Sequence, residues 1–216
     1  MPNQAIRALQ HALLGLDYDP GPADGIDGPR TRAAAALFGK RGAPAPALGA
    51  IGLTRIIWHW TAGTYAVSAT DRMRYHFIID GDGTVAAGDR KPEDNISATD
   101  GTYAAHTRGA NTGSIGVSVA AMHRAMDRPF DAGAYPIKPA QIDALVRLSA
   151  DLSRRYGIKP TPATMLSHAE VPITLGIKQA GKWDISWLPG MAAPQDPFGI
   201  GNILRARVAA FLIKGA

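Results

Sequence analysis

Histidine, aspartate, lysine and tyrosine carry the chemistry this sequence offers, because it contains no cysteine. That absence excludes disulfide scaffolds, thiol nucleophiles and every cysteine-ligated metal site. The histidines are His11, His59, His76, His106, His123 and His168. His59 stands near the end of the apolar run RIIWHW (55–60), just before the turn-rich Thr61-Ala62-Gly63-Thr64. His168 stands in LSHAEV, and Asp184 in GKWDIS, two residues after Lys182. Two neutral imidazoles and one carboxylate make a catalytic zinc set with one position left for water. Such a site keeps a net positive charge, so it acidifies bound water and polarises a carbonyl. The same residues also read as a structural, hydrogen-bonded histidine pair. His59 and His168 are far apart in the chain, so only the fold can bring them together.

The elements that must do so are legible in outline. The runs RIIWHW (55–60), YHFII (75–79) and SIGVSVA (114–120) read as strands. The second is followed by the turn DGDG (80–83) and by 84–87, which completes a hairpin. Residues 164–171 read as a short strand or loop holding His168. Ile142, Leu145, Val146, Leu148 and Leu152 recur at helical spacing, which predicts a helix over 139–156 ending at Gly157. ILRARVAAFLIK (203–214) reads as a closing helix. Its apolar face packs on the domain or, with Arg205, Arg207 and Lys214, touches an anionic membrane. Strands interspersed with helices imply an α/β fold, a mixed central sheet flanked by helices. Upstream, Ile6, Leu9, Leu13 and Leu16 lie on one helical face, 17–29 is a loop, and TRAAAALF (31–38) is a second helix. GAPAPALGA (42–50) is a Pro/Ala/Gly linker. The expected organisation is a helical module over 1–41, a linker over 42–50 and a larger domain over 51–216.

Five motifs run in order along that larger domain: IIWHWTAG (56–63), YHFIIDGDGTV (75–85), AAHTRGANTGSIGVSV (104–119), LSHAEV (166–171) and KWD (182–184). In this it resembles the zinc N-acetylmuramoyl-L-alanine amidases of the phage-lysozyme and peptidoglycan-recognition type. The resemblance implies a bound Zn2+ held by His59, His168 and Asp184, the aspartate standing where other members carry cysteine. It makes Tyr75 and Lys182 catalytic: Tyr75 to orient the nucleophile or carry its proton, Lys182 to stabilise the oxyanion. Some relatives place a glutamate base in the strand where this chain has Ser118, so the tyrosine variant is the closer analogy. Their plainer readings are a core aromatic with a wet hydroxyl and a surface lysine. His106 matches a position near the substrate groove and serves either substrate contact or loop hydrogen bonding. Asn111 (with Thr112) is a candidate for binding the peptide stem, and Trp60 for a sugar–peptide groove, although Trp is also a core residue. His76 reads as structural, and His11 and His123 as surface residues.

The N-terminal stretch 8–38 resembles the peptidoglycan-binding type 1 module in Leu9-Gln10, Leu13, Asp24-Gly25, Gly28, Thr31 and Phe38. The implied partner of both parts is peptidoglycan, and the implied reaction is hydrolysis of the bond between N-acetylmuramic acid and the stem L-alanine. No secretory signal and no apolar run long enough to span a membrane are readable. This fits a phage or prophage-type endolysin, made in the cytoplasm and acting on the wall after release, and expected to be a monomer. A wall-fragment recycling amidase and a non-catalytic peptidoglycan-recognition protein are the alternatives. The net charge of +5 favours anionic partners, but the 23 basic residues are scattered and no nucleic-acid motif accompanies them, so no nucleic acid partner is expected.

Overall fold

The computed structural model describes residues 52–214, together with Gln10, Pro22, Asp24, Ile26 and residues 28–32. The expected helix along Ile6–Leu16, most of the second helix and the linker 42–50 lie outside the described residues.

Five strands form one sheet: β1 (Arg55–Trp60), β2 (Phe77–Ile79), β3 (Val85–Ala87), β4 (Ser114–Val119) and β5 (Met165–Ser167). Their order is β3-β2-β4-β1-β5. β2, β4, β1 and β5 run parallel, and β3 closes one edge antiparallel. The helices around this sheet are α1 (Ala69–Arg74), α2 (Pro139–Tyr156), α3 (Val171–Thr174) and α4 (Pro197–Lys214). The mixed central sheet flanked by helices is the architecture the sequence implies. No helix of the described residues is long and apolar enough to cross a membrane.

The period-2 alternation of side chains divides β1 between two environments. Ile56, Trp58 and Trp60 enter the main core with Ile115, Val117 and Val119 of β4 and Ile142, Leu145 and Val146 of α2. Trp58 also donates its indole N–H to Ser149 Oγ on α2 at 2.9 Å. Ile57 faces the other way, into a smaller cluster with Leu166, Ala110 and Val171. His59 shares that second face. Burying a strand on both faces explains why β1 reads as an unbroken apolar run.

Two helices are fixed by specific polar contacts. Gln141, fully buried in the first turn of α2, donates to the carbonyls of Ile79 (3.2 Å) and Ala120 (2.9 Å) at the ends of β2 and β4. α2 stops at Gly157, which takes the left-handed φ of 67° that a C-terminal glycine permits. α4 packs against α2 through a face that includes the buried Leu204 and Val208. It starts six residues before the expected Ile203, because Pro197, Gly199 and Gly201 disguise its first turns. Gly201 is required there: a Cβ would sit 2.4 Å from the Glu170 carboxylate.

The second expected strand is shorter than its sequence suggests. Tyr75 and His76 precede β2, and Tyr75 caps α1. α1, an element not among those expected, opens on a capping box: the Ser68 hydroxyl accepts from Asp71 N–H at 3.1 Å, and the Asp71 carboxylate accepts from Ser68 N–H at 2.9 Å. His123, expected at the surface, is half-buried, with its ring 6.1 Å from that of Tyr135.

Candidate active site

Parallel pairing places His59, His168 and Asp184 together. β1 lies between β4 and β5, with His59 opposite Ser118 and Trp58 opposite Ser167. β5 ends at Ser167, so His168 emerges beside His59 at the carboxyl ends of the strands, where open α/β sheets place their sites. A 3-10 turn over His168–Glu170 then carries the chain away. Asp184 is drawn in by its backbone carbonyl, which accepts from Ala169 N–H at 2.6 Å.

The three side chains are buried, and their atoms form a nearly equilateral triangle. His59 Nδ1 lies 3.1 Å from His168 Nδ1, and each lies 3.2 Å from Asp184 Oδ2. The far nitrogens are engaged elsewhere. His106 Nε2 lies 3.3 Å from the Ser114 carbonyl, which can only accept, so the His106 proton sits on Nε2 and its Nδ1 accepts from His59 Nε2 at 3.2 Å. The Thr107 hydroxyl lies between these rings, 2.9 Å from His106 Nδ1 and 3.3 Å from His59 Nε2. His168 Nε2 lies 3.0 Å from Gln179 Oε1.

Protons on both far nitrogens leave two Nδ1 lone pairs and a carboxylate oxygen facing one another. Three acceptors converging on one point call for a cation. A tetrahedral zinc with bonds of about 2.0 Å holds its ligand atoms about 3.3 Å apart, which matches the triangle. Among the described residues this is the one group of three or more His, Asp or Glu side chains arranged to hold a metal ion. The electrostatics agree with a ligand role. Burial pushes the His59 imidazole down to about 4, so it is neutral at pH 7. Burial opposes ionisation of Asp184, but positive charge and hydrogen-bond donation on its imidazole side outweigh it and hold the carboxyl below its usual range, so it is the anionic corner that a cation or an imidazole proton must face. His106 is held far below its usual value, by burial first and then by the nearby histidines.

Tyr75 packs its ring 5.2 Å from that of His59, centroid to centroid. Burial, and next the Asp184 charge, push its hydroxyl well above the usual range, so it keeps its proton at neutral pH. Lys182 is exposed and lines a cleft of about 650 Å³ with Trp183, Ser186, Ala169, Arg128 and Phe130. Its charge reaches His59. His106 lies buried behind His59, and Gly116 is the residue that admits it, since a Cβ there would meet the imidazole at 2.5 Å. Asn111 accepts from Thr107 N–H at 2.7 Å and so shapes the turn after His106. Trp60 is buried in the main core, edge-on to Trp183 with centroids 4.5 Å apart.

Several supporting residues escape a sequence reading. His76 is buried, as a structural residue should be, and its partner is Asn95, whose Oδ1 lies 3.0 Å from His76 Nε2. Asn95 also donates to the carbonyls of Ala104 and Asn111, closing the loop that holds His106. Glu170 accepts from Ser167 N–H at 2.7 Å and pairs with Arg205 of α4 at 2.9 Å, bracing the turn that begins at His168. Gln179 and Thr107 complete the set. His76, Thr107 and Glu170 lie inside the ordered motifs, but those motifs do not announce their roles, and Asn95, Gln179 and Arg205 lie outside all five, their partners being remote in sequence.

Residues 51–190 match the family described as N-acetylmuramoyl-L-alanine amidase. None of the curated proteins matches the chain. Among solved structures it is similar to the N-acetylmuramoyl-L-alanine amidase LysC from Clostridium intestinale URNW, at 18% identity over 76% of this chain and 89% of that one, with a TM-score of 0.42. It is also similar to the E. coli amidase AmiD in complex with anhydro-N-acetylmuramic acid-L-Ala-D-gamma-Glu-L-Lys, at 23% identity over 60% of this chain and 52% of that one, with a TM-score of 0.41. With the family match spanning most of the larger domain, the chain belongs to the N-acetylmuramoyl-L-alanine amidase family and is a peptidoglycan amidase.

Proposed function

We propose that the chain is a zinc-dependent hydrolase of the amide bond between N-acetylmuramic acid and the stem L-alanine, with His59, His168 and Asp184 as the metal ligands. The observation that carries this is the triangle of two Nδ1 atoms and one carboxylate oxygen, with edges of 3.1 and 3.2 Å. A zinc ion held there supplies a Lewis acid that acidifies water and polarises the scissile carbonyl.

The chain's own residues do the rest. Tyr75, protonated and beside His59, donates a hydrogen bond to the reacting oxygen and orients the attacking water. Lys182, on the cleft wall, holds positive charge where the carbonyl oxygen becomes negative, a contribution of about 3–4 kcal/mol for one well-placed donor. The cleft beside it takes the stem peptide. His106, Asn111 and Trp60 serve the substrate side indirectly, by fixing the wall and the ligand imidazole.

Residues 1–41 form a wall-binding module joined by the linker 42–50 to the catalytic domain over 51–216. The support is a cluster built from the residues of its motif. Gln10, 1% exposed, places its amide nitrogen, with two hydrogens to share, within reach of Asp24 Oδ1 (3.1 Å), the Ile26 carbonyl (3.0 Å) and Thr31 Oγ1 (3.0 Å). Wall binding coupled to wall cleavage fits an endolysin of phage or prophage type, reaching the wall from the cytoplasm once the membrane is breached.

The test is digestion of peptidoglycan sacculi with and without a chelator, with the soluble products read by mass spectrometry. Stem peptides with a free N-terminal alanine, lost with chelator and restored by zinc, are the expected result. Binding to sacculi with no release, even in added zinc, would leave a recognition protein in place of an enzyme.

A further inference from the structure

We propose that Gln179 is a positioning residue that selects the metal-binding tautomer of His168, and that the turn 106–108 supports both ligand imidazoles at once. This rests on the zinc reading of the site. Gln179 lies in the segment between α3 and Asp184, outside every motif of the sequence. Its amide orientation is fixed by chemistry. The Arg108 carbonyl, 2.7 Å away, can only accept, so the group facing it is the Gln179 NH2. Oε1 therefore faces His168 Nε2 at 3.0 Å, and an oxygen there requires the proton on Nε2. The Nδ1 lone pair is then free to point at His59 Nδ1 and Asp184 Oδ2.

The same turn does this for the other imidazole by a different route. His106 accepts from His59 Nε2, and Thr107 touches both rings. One residue later, the Arg108 carbonyl holds Gln179, which holds His168. Three consecutive residues thus fix the tautomers of both histidines, one through a side chain and one through a backbone carbonyl. Partners of this kind contribute about 10- to 100-fold to metal affinity in other proteins.

The test compares the full chain with its Gln179→Leu variant, which removes the acceptor at a half-buried loop position and leaves the core untouched. Nitrogen-15 NMR of the metal-free proteins reads the histidine tautomers, and competition with a chromophoric chelator reads zinc affinity. The expected result is a proton on His168 Nε2 alone in the parent and a mixture of tautomers in Gln179→Leu, with zinc affinity lowered about 10- to 100-fold. The His59 tautomer stays the same in both. A His168 signal still purely Nε2-protonated in Gln179→Leu, or zinc affinity within twofold of the parent, overturns the proposal. If the parent takes up no zinc, the zinc reading of the site falls instead, and the tautomer comparison still decides the role of Gln179.

Discussion

Arg205 Nη1 on α4 lies 2.9 Å from Glu170 Oε1 in the turn that begins at His168, and both side chains are buried. Arg205 also donates to the Met165 carbonyl of β5 at 2.9 Å. Removing one partner strands the other charge in a dry interior. Arg205→Met is expected to cost about 3–5 kcal/mol in urea unfolding. The double variant Arg205→Met/Glu170→Gln should recover a large part of that loss. Equal losses in the single and double variants would show that the pairing does not matter.

Zinc binding should depend on all three corners of the triangle. His59→Ala, His168→Ala and Asp184→Ala are each expected to lose stoichiometric zinc by mass spectrometry. The parent should melt higher with zinc than after chelation, since a ligand at about 1,000 times its Kd stabilises the native state by about 4 kcal/mol. A melting temperature indifferent to chelator would speak against a metal held at this site.

Tyr75→Phe and Lys182→Ala separate catalysis from metal holding. Both are expected to keep zinc. Lys182→Ala should lower kcat about 100- to 1,000-fold on sacculi, the loss typical of one oxyanion donor. Tyr75→Phe should lower it about 100-fold or more, as for other proton-handling groups. Unchanged turnover in Lys182→Ala would mean that the lysine is only a surface residue of the cleft.

His76 makes stability depend on pH. Burial pushes its imidazole down to about 4, against an ordinary value of 6.5. The unfolded chain therefore binds a proton in this interval that the folded chain refuses, so stability is full above about pH 6.5 and falls as pH drops towards 4. The shift corresponds to about 3 kcal/mol at the acid end. Unfolding by urea at pH 7, 5.5 and 4.5 should show a shallower decline in His76→Gln than in the parent; parallel declines would exclude His76 as a source.

Gly116→Ala tests the seat of His106. A methyl group there meets His106 Cγ at 2.5 Å, with the ring Cδ2 at 2.7 Å and Cβ at 3.0 Å. The expected cost is about 1–3 kcal/mol, with weakened zinc binding because His59 loses its partner. Stability and zinc affinity equal to the parent would show that His106 relocates freely.

The catalytic framework was legible because its elements have strong local signatures. RIIWHW is β1, residue for residue, and the five ordered motifs span both strands that deliver the histidines. The 139–156 helix was equally plain, from its periodicity and its terminal glycine. What was not legible depends on contacts between remote segments. α4 looked shorter than it is because Gly201 weakens helix propensity, yet that glycine exists to clear the carboxylate of Glu170, far earlier in the chain. Gln179 stands among small and polar loop residues, and its meaning comes from the Arg108 carbonyl. Asn95 looks like any turn asparagine until His76 folds onto it.

β5 is only three residues long and pairs with β1 alone, at the edge of the sheet. Its far side is tied down by Arg205, on the last helix of the domain. Parallel pairings between distant segments form late, because chain closure must precede the contacts that reward it. β1 and β5, remote in sequence, make one such pairing, and it sets His168 beside His59. A chain interrupted before residue 205 would hold both imidazoles and the aspartate, yet lack the brace that sets the His168 turn. The set of the His168 turn is thus a property of the assembled domain rather than of the strand that carries it.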